Sequence, residues 1–325
     1  MRRIICTDFT EPPVLEVVEG PTPEPGPGEV LLDVGAVGLS FVDGLIVRGG
    51  YQLRPQLPFT PGSCVVGRVC AVGEGVDRAR IGTQVATVLA QFGACATHVT
   101  ASDGGVVPLP AGVDPDVAAA AMESYLTLVF ATTHRIPIEP GEDVVVLGAG
   151  GSIGRAAIDV ARSLGARVIA VASTQEKRAV AEAAGAEVTL GYADLKDAIR
   201  QVTGGGADVV IDPVGGPAAE SALRALGAGG RFCVVGFASG EIPRLPMNIV
   251  LLRNRTIIGV DWGDWTREGG RAEGNAALIA DFFGRVARGE LHPAKPVAVS
   301  LEEAVHVLRE IGVRSRSAIT YVLTP

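Results

Sequence analysis

The run Val144-Val145-Val146-Leu147-Gly148-Ala149-Gly150-Gly151-Ser152-Ile153-Gly154 constrains this chain more than any other stretch. A short, wholly apolar strand runs straight into a glycine-rich turn. Beyond the turn, Ile153, Ala157, Val160, Ala161 and Leu164 recur at helical spacing, so Ile153–Leu164 reads as an amphipathic helix. A strand that opens through glycines into a helix aims bare N–H groups and the positive helix end at one point, which suits a dinucleotide's pyrophosphate. Gly148, Gly150, Gly151, Ser152, Ile153 and Gly154 are the candidate contacts. Gly154 also lets the helix pack closely on the strand.

The same rhythm continues on the C-terminal side. Val168–Ala172, Val188–Leu190, Val209–Ile211 and Phe232–Val235 read as strands, and Glu176–Ala184, Leu195–Val202 and Ala218–Leu226 as the helices between them. Apolar strands alternating with helices predict an α/β domain, a doubly wound parallel sheet covered on both faces. Before residue 122 the texture differs. Val14–Val18, Val30–Val37, Cys64–Val72, Gln84–Val88 and Ala96–Thr100 are short β runs separated by turn residues, the pattern of a barrel-like β domain. From about Pro296 the β texture returns in Val297–Val299 and Ala318–Leu323. The expected division is therefore 1–121 plus 296–325 for the β domain and 122–295 for the α/β domain, which is an insertion.

The 36 acidic residues outnumber the 28 basic ones, and no Lys/Arg block offers a phosphate track, so nucleic acid is not expected as a partner. No apolar run approaches the roughly 20 residues a membrane helix needs, and the apolar stretch near Met1 is too short for a signal peptide. Cys6, Cys64, Cys70, Cys95 and Cys233 are odd in number and show no CxxC pairing, which argues against a disulfide framework and fits a reducing cytoplasm.

The second α/β strand settles which dinucleotide is expected. A site for NAD places an Asp or Glu at its end, about 20 residues past the loop, for the ribose 2′-hydroxyl. Here the strand ends Val171-Ala172-Ser173-Thr174-Gln175, with Lys177 and Arg178 following. Hydroxyls and cations without a carboxylate suit a 2′-phosphate, so NADPH is favoured. The alternative is a helix cap from Ser173 or Thr174 beside two solvated cations.

Taken in order, several stretches resemble the zinc-independent quinone oxidoreductases of the medium-chain dehydrogenase/reductase superfamily. They are Pro23-Glu24-Pro25-Gly26-Pro27-Gly28-Glu29-Val30, Leu57-Pro58-Phe59-Thr60-Pro61-Gly62, Val72-Gly73-Glu74-Gly75-Val76, the Gly148–Gly154 loop, Asp212-Pro213-Val214-Gly215-Gly216, Val235-Gly236-Phe237-Ala238-Ser239-Gly240 and Gly259-Val260-Asp261-Trp262-Gly263. The resemblance spans essentially the whole chain. It implies a GroES-like N-terminal domain, a Rossmann domain and an active site in the cleft between them. It implies NADPH held by Ser173, Lys177 and Tyr192, with Gly236, Phe237, Val260 and Trp262 flanking the nicotinamide, and a homodimer with Thr256–Val260 as a sheet-edge strand.

Zinc-bearing cousins bind catalytic metal through Gly-x-Cys-x-x-Asp and Gly-His-Glu. The matching stretches here are Gly38-Leu39-Ser40-Phe41-Val42-Asp43 and Gly62-Ser63-Cys64, and the cysteine-rich lobe for structural zinc is missing between Phe92 and Val107. His98, His134, His292 and His306 show no ligand spacing, so no metal is expected. Three positions depart from the quinone reductase pattern: Ser40 where many relatives have Asn, Cys64 where they have Glu, and Ser317-Ala318 for the usual Gly-Lys. Without metal, hydride addition to an electron-poor acceptor, a quinone or an enone, is the chemistry expected. Ser40, Tyr51 and Tyr125 are the candidate catalytic residues, the two tyrosines as proton donors, and Asp43 is expected to orient backbone. Two rivals stay open: an enoyl-thioester or 2-alkenal C=C reductase, and a cofactor-binding protein with little activity.

Overall fold

The computed structural model describes residues 1–267, 272–312 and 319–325, so Ser317 and Ala318 lie outside the described residues. Its contacts divide the chain into two compact units, Met1–Glu123 with most of the chain beyond Gly263, and Ser124–Trp262.

The first unit begins with β1 (Arg2–Asp8), which pairs antiparallel with β2 (Val14–Glu19). β3 (Glu29–Leu39) then leads into the short helix α1 (Phe41–Ile46). β4 (Cys64–Val72), β5 (Gln84–Val88), β6 (His98–Ser102) and β7 (Val107–Pro108) follow. β3 is the hub, with β4 and β6 both antiparallel to it. Its valines and leucines, among them Val30, Leu32 and Val37, enter a core shared with Val65, Val69 and Val85. Gly67 on β4 is forced by this pairing, since a Cβ there would stand 2.6 Å from the Asp33 carbonyl oxygen. The unit boundary falls inside α2 (Pro115–Phe130).

The second unit is a parallel sheet of six strands wrapped by helices. In chain order it runs β8 (Asp143–Leu147), α3 (Ser152–Ser163), β9 (Arg167–Val171), α4 (Gln175–Ala183), β10 (Val188–Leu190), α5 (Leu195–Val202), β11 (Ala207–Asp212), α6 (Pro217–Ala225), β12 (Leu226–Val234), α7 (Met247–Leu251) and β13 (Thr256–Gly259). The strand order is β10-β9-β8-β11-β12-β13. Order reverses between β8 and β11, the switch point at which an open α/β sheet receives its ligand. Val145, Leu147, Ile169, Val171, Val210 and Phe232 are fully buried in its core, as expected for strands covered on both faces.

The chain then returns through α8 (Trp262–Arg267) and α9 (Ala272–Ala287) to β14 (Val297–Val299), α10 (Leu301–Glu310) and β15 (Tyr321–Leu323). β15 bridges β14 to β3, extending the first unit's sheet, and Ala304, Val305 and Leu308 of α10 join its core. α10 starts with a capping box in which Ser300 and Glu303 each satisfy the other's backbone N–H. The expected division placed the return near residue 296. In the structure α9 already packs on β5 and β7, because Ile279, Phe282 and Phe283 need cover that the first unit supplies.

Candidate cofactor and active site

In the second unit the phosphate loop sits at the switch point. Gly148 has φ +60°, a left-handed conformation suited to glycine, and Ala149 N–H donates to the Val171 carbonyl at 3.0 Å, which ties the loop to β9. A Cβ on Gly154 would stand 2.4 Å from the Gly148 carbonyl oxygen, so only glycine lets α3 pack this closely. Gly151 caps α3, and the first N–H groups of any helix lack acceptors within it. Ser152, Ile153 and Gly154 occupy those positions, which suits an anion.

Three side chains frame this loop. A Cβ on Gly150 would lie 2.8 Å from Lys177 Cβ, so the lysine stem runs against the loop backbone. Gly148 N–H donates to the Tyr192 hydroxyl oxygen at 3.0 Å. A Cβ on Gly148 would meet Val214 Cγ2 at 2.7 Å, so the turn after β11 closes over the loop. Arg178 donates to the Ala172 carbonyl at 3.2 Å and stays beside the end of β9. The cap of α4 is Thr174, whose oxygen accepts from Lys177 N–H; Ser173 is exposed beside it. The helix-cap alternative thus describes Thr174 and leaves Ser173, Lys177 and Arg178 gathered at the strand end, with no carboxylate in the Val171–Gln175 stretch.

The turns after β11 and β12 are fastened to each other. Ala238 and Ser239 N–H donate to the carbonyls of Pro213 and Val214 at 3.0 and 2.9 Å, and Val260 N–H donates to Val234 at 3.0 Å. Asp212, given no role in the sequence reading, holds this corner by accepting from Val214 and Gly215 N–H at 2.8 and 2.9 Å. Burial raises its pKa while those two donors act to lower it. Gly236 and the exposed ring of Phe237 follow β12 at this carboxyl edge, whereas Val260 and Trp262 are largely buried. A groove of about 360 Å³ beside Tyr192 and Val214 extends to Ser239.

Tyr125 requires a correction. It is 6% exposed, and its hydroxyl donates to buried Asp159 of α3 at 2.9 Å. Burial, with Asp159 next, pushes its pKa up. A hydroxyl enclosed in the core and bonded to a carboxylate braces α2 on α3 and is not placed to protonate an acceptor.

In the first unit Ser40 caps α1, accepting from Asp43 N–H at 3.2 Å while Asp43 Oδ2 accepts from Ser40 N–H and Oγ–H, both at 2.8 Å. Asp43 is 3% exposed and also accepts from backbone at Gly62. It orients backbone, as expected. Tyr51 lies half-exposed just beyond α1. Glu123, near the middle of α2, went unnoticed in the sequence. Its carboxyl bonds the Ser40 side chain, and burial followed by the Asp43 charge raises its pKa to about 7. Only the acid's place in an alanine-rich apolar run could have flagged it.

The family descriptions that match are an alcohol dehydrogenase GroES-like domain over residues 26–138 and a zinc-binding dehydrogenase over residues 152–276. Quinone oxidoreductase-like protein 2 from Bos taurus is 40% identical over 272 residues, 82% of this chain and 77% of the relative. Two solved structures align over all of this chain and of their own. The Escherichia coli quinone oxidoreductase complexed with NADPH has a TM-score of 0.89 at 26% identity. The quinone oxidoreductase from Thermus thermophilus, solved also with NADPH, has a TM-score of 0.82 at 33% identity. The metal in the second family description does not suit the donors present. At the cousins' ligand positions stand the hydroxyls of Ser40 and Ser63 and the thiol of Cys64, whose pKa burial, with Glu123 and then Asp43, pushes up. Hydroxyls and an un-ionised thiol are poor partners for Zn²⁺.

Proposed function

The chain belongs to the quinone oxidoreductases of the medium-chain dehydrogenase/reductase superfamily, and from that premise we propose that it is an NADPH-dependent, zinc-free reductase of quinones or enones. One observation carries this reading: a glycine loop at the sheet's switch point, with the Lys177 stem against Gly150 and no acid at the end of β9. The glycines at 148, 150 and 154 let Val214, the Lys177 stem and α3 close tightly around the loop, and the first N–H groups of α3, which lack helix acceptors, fit a pyrophosphate. Gly148–Gly154 would hold that group. Ser173 and Lys177, with Arg178 beside them, would take the 2′-phosphate, and Tyr192 would fix the loop. Gly236, Phe237, Val260 and Trp262 would border the nicotinamide. When bound, NADPH supplies a hydride. Ser40 and Tyr51 would bond the acceptor oxygen as charge develops there.

Among the described residues no helix is long and apolar enough to cross a membrane. The cysteines are free thiols, four of the five buried, and their state favours a reducing cytoplasm as the site of action. Among the described residues no strand pairs with the outer edge of β13, and apolar Met247, Leu251 and Leu252 are exposed nearby in sequence; both features favour a homodimer along that edge. The test is NADPH oxidation, followed by absorbance, against quinones, enals and enoyl-thioesters. Turnover of quinones or enones supports the reading. Turnover of thioesters alone makes the protein a C=C reductase, and binding without turnover makes it a cofactor-binding protein.

A further inference from the structure

Four arginines of the second unit gather at one place. Arg200 lies in the last turn of α5, Arg224 in the last turn of α6, and Arg253 and Arg255 stand between α7 and β13. Their meeting point is the Arg224 carbonyl oxygen, at the end of α6. Arg200 Nη2 donates to it at 3.1 Å and Arg255 Nη2 at 3.4 Å, so two guanidiniums crowd one oxygen. Burial first, then the charges of Arg200, Arg253 and Arg224, lower the pKa of Arg255.

Acids do not balance this charge. Arg224 pairs with Glu220 of its own helix at 2.7 Å, but among the described residues no carboxylate pairs with Arg200, Arg253 or Arg255. Arg255 is 8% exposed and holds backbone carbonyls only, those of Gly227, Ile249 and Arg224 each at 3.4 Å and that of Leu226. Arg200 Nε is enclosed and meets no acceptor among the described residues. Carbonyls at a helix end welcome a cation, yet dipoles do not neutralise three, and a buried charge ordinarily stands beside an opposite one. In a chain with more acids than bases, this grouping runs against the composition. The backbone adds a second sign. Arg253 and Asn254 have φ +76° and +53°, two left-handed residues in a row without a glycine. Such backbone persists only where its surroundings hold it, often at ligand clamps. Here Gly229 N–H donates to the Arg253 carbonyl at 2.8 Å, and Arg255 N–H to that of Val250 at 3.0 Å.

We propose that Arg200, Arg253 and Arg255 form a second anion site, one that takes a small ligand bearing a diphosphate group. It lies at the amino edge of the parallel sheet, where β12 begins, away from the carboxyl edge that carries the phosphate loop. Arg255, held by its carbonyls, fixes the positive field. Half-buried Arg200 and exposed Arg253 supply the remaining donors. Guanidinium forks match phosphate oxygens two at a time, and a diphosphate offers several charged oxygens close together where a carboxylate offers two. The site is separate from the reductase reading and does not depend on it.

Isothermal titration of the NADPH-loaded protein with inorganic pyrophosphate, and in a second arm with ADP, tests this at fixed ionic strength. NADPH keeps the phosphate loop filled, so further heat reports a different site. Saturable uptake is expected; tighter pyrophosphate upholds the site as one for a free diphosphate, and tighter ADP upholds it as one for a nucleotide. Arg200→Gln and Arg253→Gly should each weaken that uptake about tenfold, the scale of one charge-assisted hydrogen bond, with the Kd for NADPH unchanged. Glycine is at ease at φ +76°, so Arg253→Gly should melt near the wild-type temperature, and weaker uptake by it reports a lost contact and not a lost fold. No uptake in either arm, or uptake that both variants leave unaltered, overturns the site and leaves the arginines as caps of α6. Should the protein take up no NADPH, the reductase reading falls, and the same comparison of variants on the unloaded protein still decides the anion site.

Discussion

The backbone N–H of Gly148 donates to the phenol oxygen of Tyr192 at 3.0 Å, joining the first residue of the phosphate loop to the segment just past β10. Tyr192→Phe leaves that N–H without its acceptor at the point where the loop turns. One such bond contributes about 1 kcal/mol to the folded loop, so the variant should melt slightly lower, and NADPH, meeting a loop no longer held, should bind up to roughly fivefold more weakly. A fluorescence titration measures it, and an unaltered Kd would remove Tyr192 from the site.

Lys177 lies against Gly150 beside a strand end that carries no acid. Reversing its charge should repel a 2′-phosphate and spare a 2′-hydroxyl. Lys177→Glu should therefore cut kcat/KM for NADPH at least about tenfold relative to NADH, the scale of one charge-assisted hydrogen bond. Equal ratios in variant and wild type would mean that the lysine is only a solvated cation on α4.

Much of the second unit was legible because its strands are buried on both faces and its helices are punctuated. Val188–Leu190 and Leu195–Val202 match their expected limits, and the glycine loop falls where its pattern placed it. Three things were not legible. β1 does not show in Met1–Asp8, which carries two arginines and a short apolar run, because its strand character comes from pairing with β2. α9 reads like a helix of the α/β domain, and nothing local says which core its phenylalanines enter. The contacts of Tyr125 with Asp159 and of Ser40 with Glu123 join residues far apart along the chain, and such contacts exist only after folding.

The Tyr125–Asp159 bond gives an opposite expectation for a residue first read as a proton donor. Tyr125→Phe should destabilise the protein by about 1–3 kcal/mol, since a buried carboxylate loses a donor. Acceptor kcat should stay within about twofold of wild type, because the loss falls on folding stability and not on the reacting atoms. A large fall in kcat with unchanged melting would restore the catalytic reading.

Glu123 also sets a pH dependence of stability. Its pKa is raised from 4.5 to about 7 in the folded state, by burial first and the Asp43 charge second. An acid shifted upward favours the folded form below its unfolded pKa, and that favour is lost as pH rises through the folded value. Stability should thus decline between about 4.5 and 7 by roughly 3 kcal/mol on this account. Denaturant melts across that window should show the slope in wild type and a shallower one in Glu123→Gln. Identical slopes would place the acid in water.

Isothermal titration of the purified protein with NADPH and with NADH tests the central claim most directly. One NADPH should bind per chain, at least about tenfold more tightly than NADH, the margin expected of a charge-assisted 2′-phosphate contact. Heat from neither coenzyme, or a preference for NADH, would contradict the account.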